Sequence, residues 1–322
     1  MNARSPDAAG AGSGNRPETH LDRHQGHRLG GRLLSGLVLS AVLSALALLS
    51  LWWTPWDPAA MDLPARLQGP SLAHWLGTDS LGRDVLSQLM RGGATSLGVS
   101  LVAVALGAGV GVPLGLWAAA RGGVVDELLM RGNDLVFAFP SLLLAVLLST
   151  ALGPGAINAI LAVGVFNIPV FARLTRGAAL PLWQREFTLA ARVAGKGAWR
   201  ISIEHVLPNL AGLLLVQLSI QLALGLLAET GLSYLGLGTQ PPQPSWGRML
   251  ADAQTLTALA PTLAVFPGLA VALSALAFQL LGDGLREWLN PRSARSQPSA
   301  HTDQRGRPDP PGGPDRSNWT FP

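Results

Sequence analysis

Long uncharged runs alternate along the chain with shorter polar segments. A helix needs about 20 predominantly apolar residues to cross the hydrocarbon core of a bilayer. Six runs meet this requirement, which predicts an all-α, polytopic membrane protein with six transmembrane helices. The predicted spans are 33–53, 97–120, 134–152, 156–175, 211–232 and 260–282.

The first run follows a basic tail and must therefore be distinguished from a secretory signal peptide. Trp52, Trp53 and Trp56 follow it, at the place where a signal peptide would carry small residues for cleavage. Tryptophan is enriched where a membrane meets water. We therefore predict that this run is a retained membrane anchor.

The basic residues are unevenly distributed between the two sides of the predicted membrane. With the N-terminus inside, 19 of the 23 Lys and Arg residues lie in cytoplasmic pieces and four lie outside. Because cytoplasmic loops carry an excess of Lys and Arg, both termini are predicted to be cytoplasmic. The polar segment Arg185–Asn209 then also lies in the cytoplasm.

Composition supports a membrane protein and removes several kinds of chemistry. Charged residues make up 13% of the chain, whereas soluble domains carry about 25%. Cysteine is absent, which excludes disulfides, thiolate catalysis and cysteine-based metal sites. Residues 1–30 and 293–322 lack apolar periodicity and are predicted to be disordered cytoplasmic tails around a permease domain at 31–292. The arginine-rich bias reflects a GC-rich genome, and no nucleic-acid partner is predicted.

Small residues recur every four positions in the second span, at Gly107, Gly111, Gly115 and Ala119. This spacing predicts a close helix–helix contact, and no Lys-Ser or Lys-Thr follows that would indicate a phosphate loop. Prolines that are expected to kink the helices or to mark deformable points lie within the spans at positions Pro113, Pro140, Pro169 and Pro267.

The cytoplasmic segment reads as two short helices separated by Gly195 and Gly197. A small apolar face is predicted on the first helix, beside three basic residues, and Pro208 suits the first turn of the next membrane helix. This pattern fits either a knob that docks into a groove on another protein or an amphipathic helix held on anionic lipid. The face consists of Phe187, Ala190, Ala191 and Ala194, and the basic residues are Arg192, Lys196 and Arg200.

The spacing of Ala190-Ala191, Gly195 and Leu207-Pro208 resembles the EAA loop of binding-protein-dependent ABC importer permeases. In that family this loop forms the coupling helices, which seat in a cleft of the cytoplasmic ATPase. The resemblance implies that the loop at about 176–210 couples ATP-driven closure of the ATPase to rocking of the membrane helices.

The segment departs from the family motif at two positions. Leu189 stands where the acidic residue of the motif is expected, and His205 stands where an apolar residue is usual. Glu186, one helical turn earlier, is the candidate substitute for the missing acid. The resemblance implies that the ATPase pushes on Leu189–Trp199.

Three further blocks are similar to the dipeptide, oligopeptide and nickel permease subfamily, and specifically to its C-type subunit. The resemblance extends from about residue 30 to 292 and implies the type I ABC importer permease fold in a bacterial inner membrane. The blocks are His74–Ser87 (HWLGTDSLGRDVLS), Leu235–Trp246 (LGLGTQPPQPSW) and Leu280–Arg292 (LLGDGLREWLNPR).

The function implied by the resemblance is transport of dipeptides or oligopeptides as one half of the translocation pathway, with a nickel chelate or another small solute as the alternative. The implied partners are a B-type permease, two ATP-binding subunits, an extracytoplasmic solute-binding protein and membrane lipid. No nucleotide-binding motif, HExxH or paired carboxylates within a span occur in the sequence. We therefore expect no enzymatic activity, metal or cofactor in this chain, with ATP and Mg bound by the partner ATPase. An ATPase-independent secondary transporter is the remote alternative, since neither an internal repeat nor midplane charges are evident.

Some extracytoplasmic residues allow two interpretations. The first block either contacts the substrate or braces the membrane edge; in the bracing interpretation, Asp79 or Ser80 caps a helix, while Arg83 and Asp84 satisfy each other or neighbouring groups. The proline-rich block before Trp246 fits either a contact for the solute-binding protein or a stiff re-entry loop with the tryptophan anchored at the interface.

Acidic residues near the membrane are also ambiguous. Asp126, Glu127 and Asp134 flank a short cytoplasmic loop and either face the ATPase or cap helices in solvent. Glu229 is the acid at membrane depth in the fifth span, where an ionisable group is a functional candidate. It is predicted either to line the pathway or to lie at the water boundary.

Overall fold

The structure is a computed structural model that describes residues 30–138 and 141–289, without the side chains of Ser141 and Leu142. Helices and connecting loops account for these residues, with no strand beyond one isolated bridge. The predicted tails, apart from Gly30, and the predicted kink at Pro140 lie outside the described residues. The α-helices are α1 (Gly31–Leu49), α2 (Val85–Arg121), α3 (Gly123–Phe137), α4 (Ser141–Leu152), α5 (Ala156–Trp183), α6 (Glu186–Val193), α7 (Ala198–Ile201), α8 (Leu207–Tyr234), α9 (Trp246–Ala253) and α10 (Thr262–Leu289).

Among the described residues, five helical stretches are long and apolar enough to cross a membrane. They are α1, α2, α5, α10 and the continuous helix Ala198–Tyr234, which comprises α7, a π-helical turn and α8. A shorter apolar helix lies at Leu143–Leu152. The all-α, multi-pass architecture predicted from the sequence is thereby confirmed.

The third predicted span, 134–152, is not a single helix. α3 ends at Phe137 and α4 begins at Ser141, and a helix of 12 residues extends only about 18 Å. The hydrocarbon core is about 30 Å thick. The sequence has Pro140 between the two helices. Proline cannot donate a backbone hydrogen bond and disfavours helix in the residue before it.

The ends of other predicted spans also differ from the helix ends in the structure. Hydropathy reports the mean apolar character of a segment, whereas a helix ends where its backbone hydrogen bonds end. α2 begins at Val85 instead of near 97, and α5 continues to Trp183, so the cytoplasmic loop starts there rather than near 176. The 37 residues of Ala198–Tyr234 extend about 55 Å, well beyond a 30 Å core. With the N-terminus inside, the first part of this helix therefore protrudes into the cytoplasm.

The glycine stripe of α2 lies against α5, as its spacing predicted. A methyl group added at Gly111 would come within 2.8 Å of the Phe171 Cβ, and one at Gly115 within 2.7 Å of the Thr175 Cβ. Gly107 is equally crowded by Asn167, and Ala119 continues the buried stripe. No side chain separates the two backbones at the glycine positions, which makes α2 and α5 the rigid centre of the bundle.

Ion pairs tie the cytoplasmic helix α3 to its surroundings. Arg176 of α5 pairs with Asp126 and Arg173 pairs with Asp134, while Arg131 and Glu127 pair within α3 at 2.6 Å. These three acids are thus engaged within the chain. The prolines at 113, 169 and 267 lie inside α2, α5 and α10, which continue through them.

Candidate functional site

The first helix of the cytoplasmic segment Arg185–Asn209, α6, has one face against the bundle and one face towards solvent. Thr188 and Ala191 are buried, and the Thr188 hydroxyl donates to the Leu182 carbonyl at 2.7 Å. The opposite face carries Leu189, which is 46% exposed, and Val193, which is 91% exposed. Apolar side chains in such positions are typical of a surface that another molecule covers.

The predicted small face of α6 is only partly correct. Phe187, Ala190 and Ala194 are exposed, but Ala191 packs inward, towards the bundle. The inward face repeats at three-residue spacing through Thr188, a polar residue that a search for apolar positions passes over. Its hydroxyl is satisfied by the Leu182 carbonyl near the end of α5, which is why burial is tolerated.

The break after α6 is a helix C-terminal motif that requires glycine. The Gly195 N–H donates to the Arg192 carbonyl at 3.0 Å, and the Lys196 N–H donates to the Ala191 carbonyl at 3.1 Å. This pair of hydrogen bonds defines a Schellman motif, whose residue after the cap adopts a left-handed conformation. Gly195 has φ of +79° accordingly. The predicted interruption at this glycine is therefore observed, with a defined geometry.

An ion cluster holds the turn between α6 and α7. Glu204 accepts hydrogen bonds from Arg200 Nε and from Lys196 Nζ, each at 2.6 Å. These hydrogen bonds, the one from Arg200 above all, lower the pKa of Glu204 to about 2. The carboxylate is therefore charged throughout the physiological pH range.

A π-helical turn, Ser202–Val206, joins α7 to α8. Pro208 lies in the first turn of α8, as expected, although the helix runs continuously from Ala198. Proline has no N–H to offer the preceding turn, and a π-helical turn is one way to accommodate the change in the ladder. The Asn209 side chain donates to the His205 carbonyl at 2.6 Å.

Buried side chains connect the cytoplasmic segment directly to the membrane helices. Ala191 of α6, Ile201 of α7 and Val206 belong to the same hydrophobic cluster as Phe171 and Trp183 of α5. The Arg192 guanidinium also lies over the Trp183 ring, 5.4 Å from its centroid. The segment is therefore joined to α5 and α8 by close-packed side chains rather than by a flexible linker.

Glu229 of α8 is fully buried at the outer end of the bundle. The Ser233 hydroxyl donates to its Oε1 at 2.7 Å. The next layer is α9, because a methyl group at Gly247 would come within 2.8 Å of the Ser233 Cβ. In this conformation the carboxyl group lies inside the single chain, so a pathway role for Glu229, which stays a prediction, requires a rearrangement that exposes it.

The extracytoplasmic segment before α2 is braced internally, and the residue that caps α2 differs from the one predicted. Asp79 accepts from the backbone N–H groups of Leu81 and Arg83 and from Arg83 Nε at 2.7 Å, so it caps a turn rather than a helix. The N-cap of α2 is Asp84, which accepts from the Ser87 N–H at 2.8 Å. Arg83 and Asp84 therefore bind neighbouring groups rather than each other, which is the second of the two predicted arrangements.

We expect Asp84→Ala to destabilise the permease by about 1–2 kcal/mol, the usual effect of losing a helix N-cap. The buried carboxylate also binds the Ser87 hydroxyl at 2.7 Å and His74 Nδ1 at 2.9 Å, and both would lose their partner. Thermal unfolding of the detergent-solubilised protein measures the change. Asp57→Ala is the matched control, since Asp57 accepts only one exposed loop hydrogen bond; equal shifts in the two variants would contradict the capping role.

The proline-rich block closes the outer end of the bundle through α9. Trp246 is buried rather than anchored at the interface; its ring N–H donates to the Leu89 carbonyl at 2.9 Å, and its backbone N–H donates to Ser96 Oγ at 3.2 Å. Gly93 leaves room for the indole. Beside it, an open groove of about 640 Å³ separates α9 from the segment before α2.

Residues 111–295 match the family model described as binding-protein-dependent transport system inner membrane component. The matched range covers more than half of the chain and includes both the cytoplasmic segment and α9. The chain belongs to this family of ABC importer permeases. The predicted identification, made from the EAA-like spacing, is confirmed, as is the location in the inner membrane.

Two permeases of known name are similar to this one over most of their length. The glutathione transport system permease protein GsiD of Pectobacterium atrosepticum is 42% identical over 252 residues, which cover 78% of this chain and 84% of the relative. The protein of the same name from Escherichia coli O6:K15:H31 is 43% identical over 252 residues, with 78% and 83% covered. These relatives belong to the peptide and nickel permease group and agree with a C-type subunit.

A solved structure of the MetNI methionine ABC transporter in inward-facing conformations has a chain that superposes on this permease with a TM-score of 0.51. The two chains are 20% identical, and the match covers 62% of this chain and 96% of that one. At this identity the likeness concerns the fold, and it confirms the predicted type I importer permease fold.

Two residues that hold the cytoplasmic segment in place were not predicted from the sequence. Glu204 holds Arg200 and Lys196 together, and Trp183 packs under Arg192. Glu204 had a signal in the sequence, because it follows Arg200 by four residues, the spacing of an ion pair on one helix face. Trp183 had none, since its contact is made across the turn between α5 and α6.

Proposed function

We propose that this permease forms one half of a translocation pathway for short peptides and couples to an ATPase through the segment Glu186–Pro208. The observation that carries the coupling role is the two-sided packing of α6. Its inner face belongs to the hydrophobic cluster that contains α5 and α8, and its outer face presents Leu189 and Val193 to solvent. A partner bound on the outer face would therefore move the bundle when it moves.

The remaining partners follow from the family. The second half of the pathway would come from a B-type permease, and two ATP-binding subunits would bind ATP and Mg. An extracytoplasmic solute-binding protein would deliver the substrate to the outer face, where the segment before α2 and α9 lie. Rocking of the two permeases between inward and outward openings requires contacts that differ between the two states.

The proposed substrate class rests on the relatives. Both GsiD proteins are named as glutathione permeases, and glutathione is itself a tripeptide. We therefore propose peptides of two to a few residues, with glutathione among the first candidates. Uptake of a labelled dipeptide, labelled glutathione and a nickel chelate, each measured with and without this gene, tests the class; nickel uptake without peptide uptake would contradict it.

We expect the double variant Leu189→Asp, Val193→Asp to lose ATPase binding while the permease pair stays assembled. Two exposed apolar contacts would become charges that must be desolvated on docking, which is unfavourable. Co-purification of the ATPase from membranes, together with labelled peptide uptake, measures the effect, and we expect at least a tenfold reduction in each. Both positions are exposed, so the fold of the bundle is expected to be unchanged.

A matched control lies in the same cytoplasmic region. Arg131→Asp changes an exposed residue of α3 and is expected to leave ATPase binding intact. If the double variant still retained the ATPase, or if both variants lost it equally, the outer face of α6 would not be the docking surface. The interpretation of α6 as a helix lying on anionic lipid would then be preferred.

A further inference from the structure

A second surface of interest lies on the cytoplasmic side, where the end of α2 meets the start of the Ala198–Tyr234 helix. Two adjoining open grooves, of about 370 and 510 Å³, share the side chains of Trp117 and Trp199. Trp117 is 44% exposed and Trp199 is 54% exposed. Large half-exposed aromatic side chains from two helices therefore meet at one site.

The groove is chemically divided into two parts. Its upper part, nearer the middle of α2, is lined by Val110, Pro113 and Leu114 and is almost entirely apolar. Its lower part, at the C-terminal end of α2, is lined by Arg121 and Arg200. The tryptophans lie at the boundary between the apolar and the basic part, as amphipathic rings do at the level of lipid headgroups.

The length of the groove along α2 matches the thickness of one leaflet of a bilayer. From Val110 to Arg121, α2 advances about 16 Å, which is about half the thickness of the hydrocarbon core. Arg121 is the last residue of α2, and the orientation of the chain places this end in the cytoplasm. The basic part is thus at headgroup level, and the apolar part points towards the bilayer centre.

The charge of the lower part favours an anion. Arg121 has no ion-pair partner among residues 30–138 and 141–289. Arg200 shares Glu204 with Lys196, and two cations around one carboxylate leave a net positive charge. Basic pockets between membrane helices on the cytoplasmic side attract anionic lipid headgroups.

We propose that this groove binds one anionic phospholipid of the cytoplasmic leaflet, with the phosphate between Arg121 and Arg200 and an acyl chain along Val110–Trp117. Trp199 and Arg200 belong to the cytoplasmic segment, whereas Trp117 and Arg121 belong to α2. The lipid therefore bridges the two, and its presence stabilises the position of the segment relative to the bundle.

The test uses the assembled transporter in nanodiscs that contain phosphatidylcholine and phosphatidylglycerol. Phosphatidylglycerol with a photoreactive group on one acyl chain is activated by light, and the labelled peptides are identified by mass spectrometry. We expect labelling of peptides that contain 110–121 and 197–200, and competition by unlabelled phosphatidylglycerol but not by phosphatidylcholine. Arg121→Gln should reduce this labelling about fivefold, the effect of one basic residue near an anionic surface.

Arg131→Gln is the matched control, because Arg131 is an exposed cytoplasmic arginine of α3 that does not line the groove; it should leave the labelling unchanged. Equal labelling by a photoreactive phosphatidylcholine would overturn the proposal, as would equal labelling of the Arg121→Gln variant. Labelling of the chain alone that disappears in the assembled transporter would also overturn it, since a protein subunit would then cover the groove. Peptide uptake, measured on the same variants, tests the proposed transport function separately from lipid binding.

Discussion

The Gly111→Leu permease is expected to be lost from the membrane as a folded protein, whereas Gly109→Leu, two residues away on the same helix, should accumulate normally. A side chain at 111 meets the backbone of Ile168 and lies 2.8 Å from the Phe171 Cβ. Backbone atoms of α5 cannot move aside as the end of a flexible side chain can. α5 would have to shift as a whole, which would also separate it from Gly107 and Gly115.

Overpacking of a well-packed core typically destabilises a protein by about 1–3 kcal/mol, occasionally more, and we expect this site to exceed that range. Position 109 is exposed and has no atom within 4 Å of an added Cβ. Leucine there should be neutral or stabilise the helix by up to about 1 kcal/mol, since glycine is a poor helix former. Size-exclusion profiles and thermal unfolding in detergent distinguish the two variants, and similar behaviour of both would show that the α2–α5 contact is not the centre of the bundle.

The glycine stripe also shows why part of the fold was predictable from the sequence. Small residues at four-residue spacing occur on one face of a helix, and in lipid such a face has few uses other than close packing. The first span was placed within four residues of α1 at both ends, and the last began within two residues of α10 although the helix continues to Leu289. Both kinds of prediction rest on local chemistry that the chain repeats several times.

The outer end of the bundle was less predictable from the sequence, because polar residues there are buried and hydrogen-bonded to other groups of the chain. The first turns of α2 contain Ser87 and Gln88, which hydropathy assigns to a loop, yet both are buried, and they hydrogen-bond to Asp84 and Asp79 respectively. An indole N–H is satisfied equally by interfacial water or by a carbonyl such as that of Leu89, so the sequence alone did not distinguish an exposed Trp246 from a buried one. The partner of Trp246 is 157 residues away in the sequence, whereas Ser87 and Gln88 have partners only three and nine residues away, which a hydropathy average does not register.

The cytoplasmic segment was partly predictable from the sequence. Its two glycines indicated a break, and the motif resemblance indicated a role, but the two-sided packing of α6 depends on contacts with Leu182 and Trp183 that only the folded chain brings together. The role of the segment in coupling therefore needs a variant that changes its outer surface without changing those contacts. Gly195 provides one.

We expect Gly195→Trp to reduce peptide uptake at least tenfold while the thermal stability of the bundle remains close to that of the parent protein. An added Cβ at this position has no atom of the chain within 4 Å, so the indole would project into the space that the docked ATPase is proposed to occupy. The φ of +79° adds a local penalty of about 1–2 kcal/mol for a residue other than glycine. This penalty is confined to an exposed turn.

Two further substitutions separate backbone strain from bulk. Gly195→Ala has the same strain as the tryptophan variant with almost no added volume, and Gly195→Asn has little strain because asparagine tolerates the left-handed region. If docking is blocked by bulk, uptake should be nearly normal for both alanine and asparagine and lost for tryptophan. Equal loss for alanine and tryptophan would assign the effect to the geometry of the turn, and full uptake by the tryptophan variant would show that no partner approaches this side of the segment.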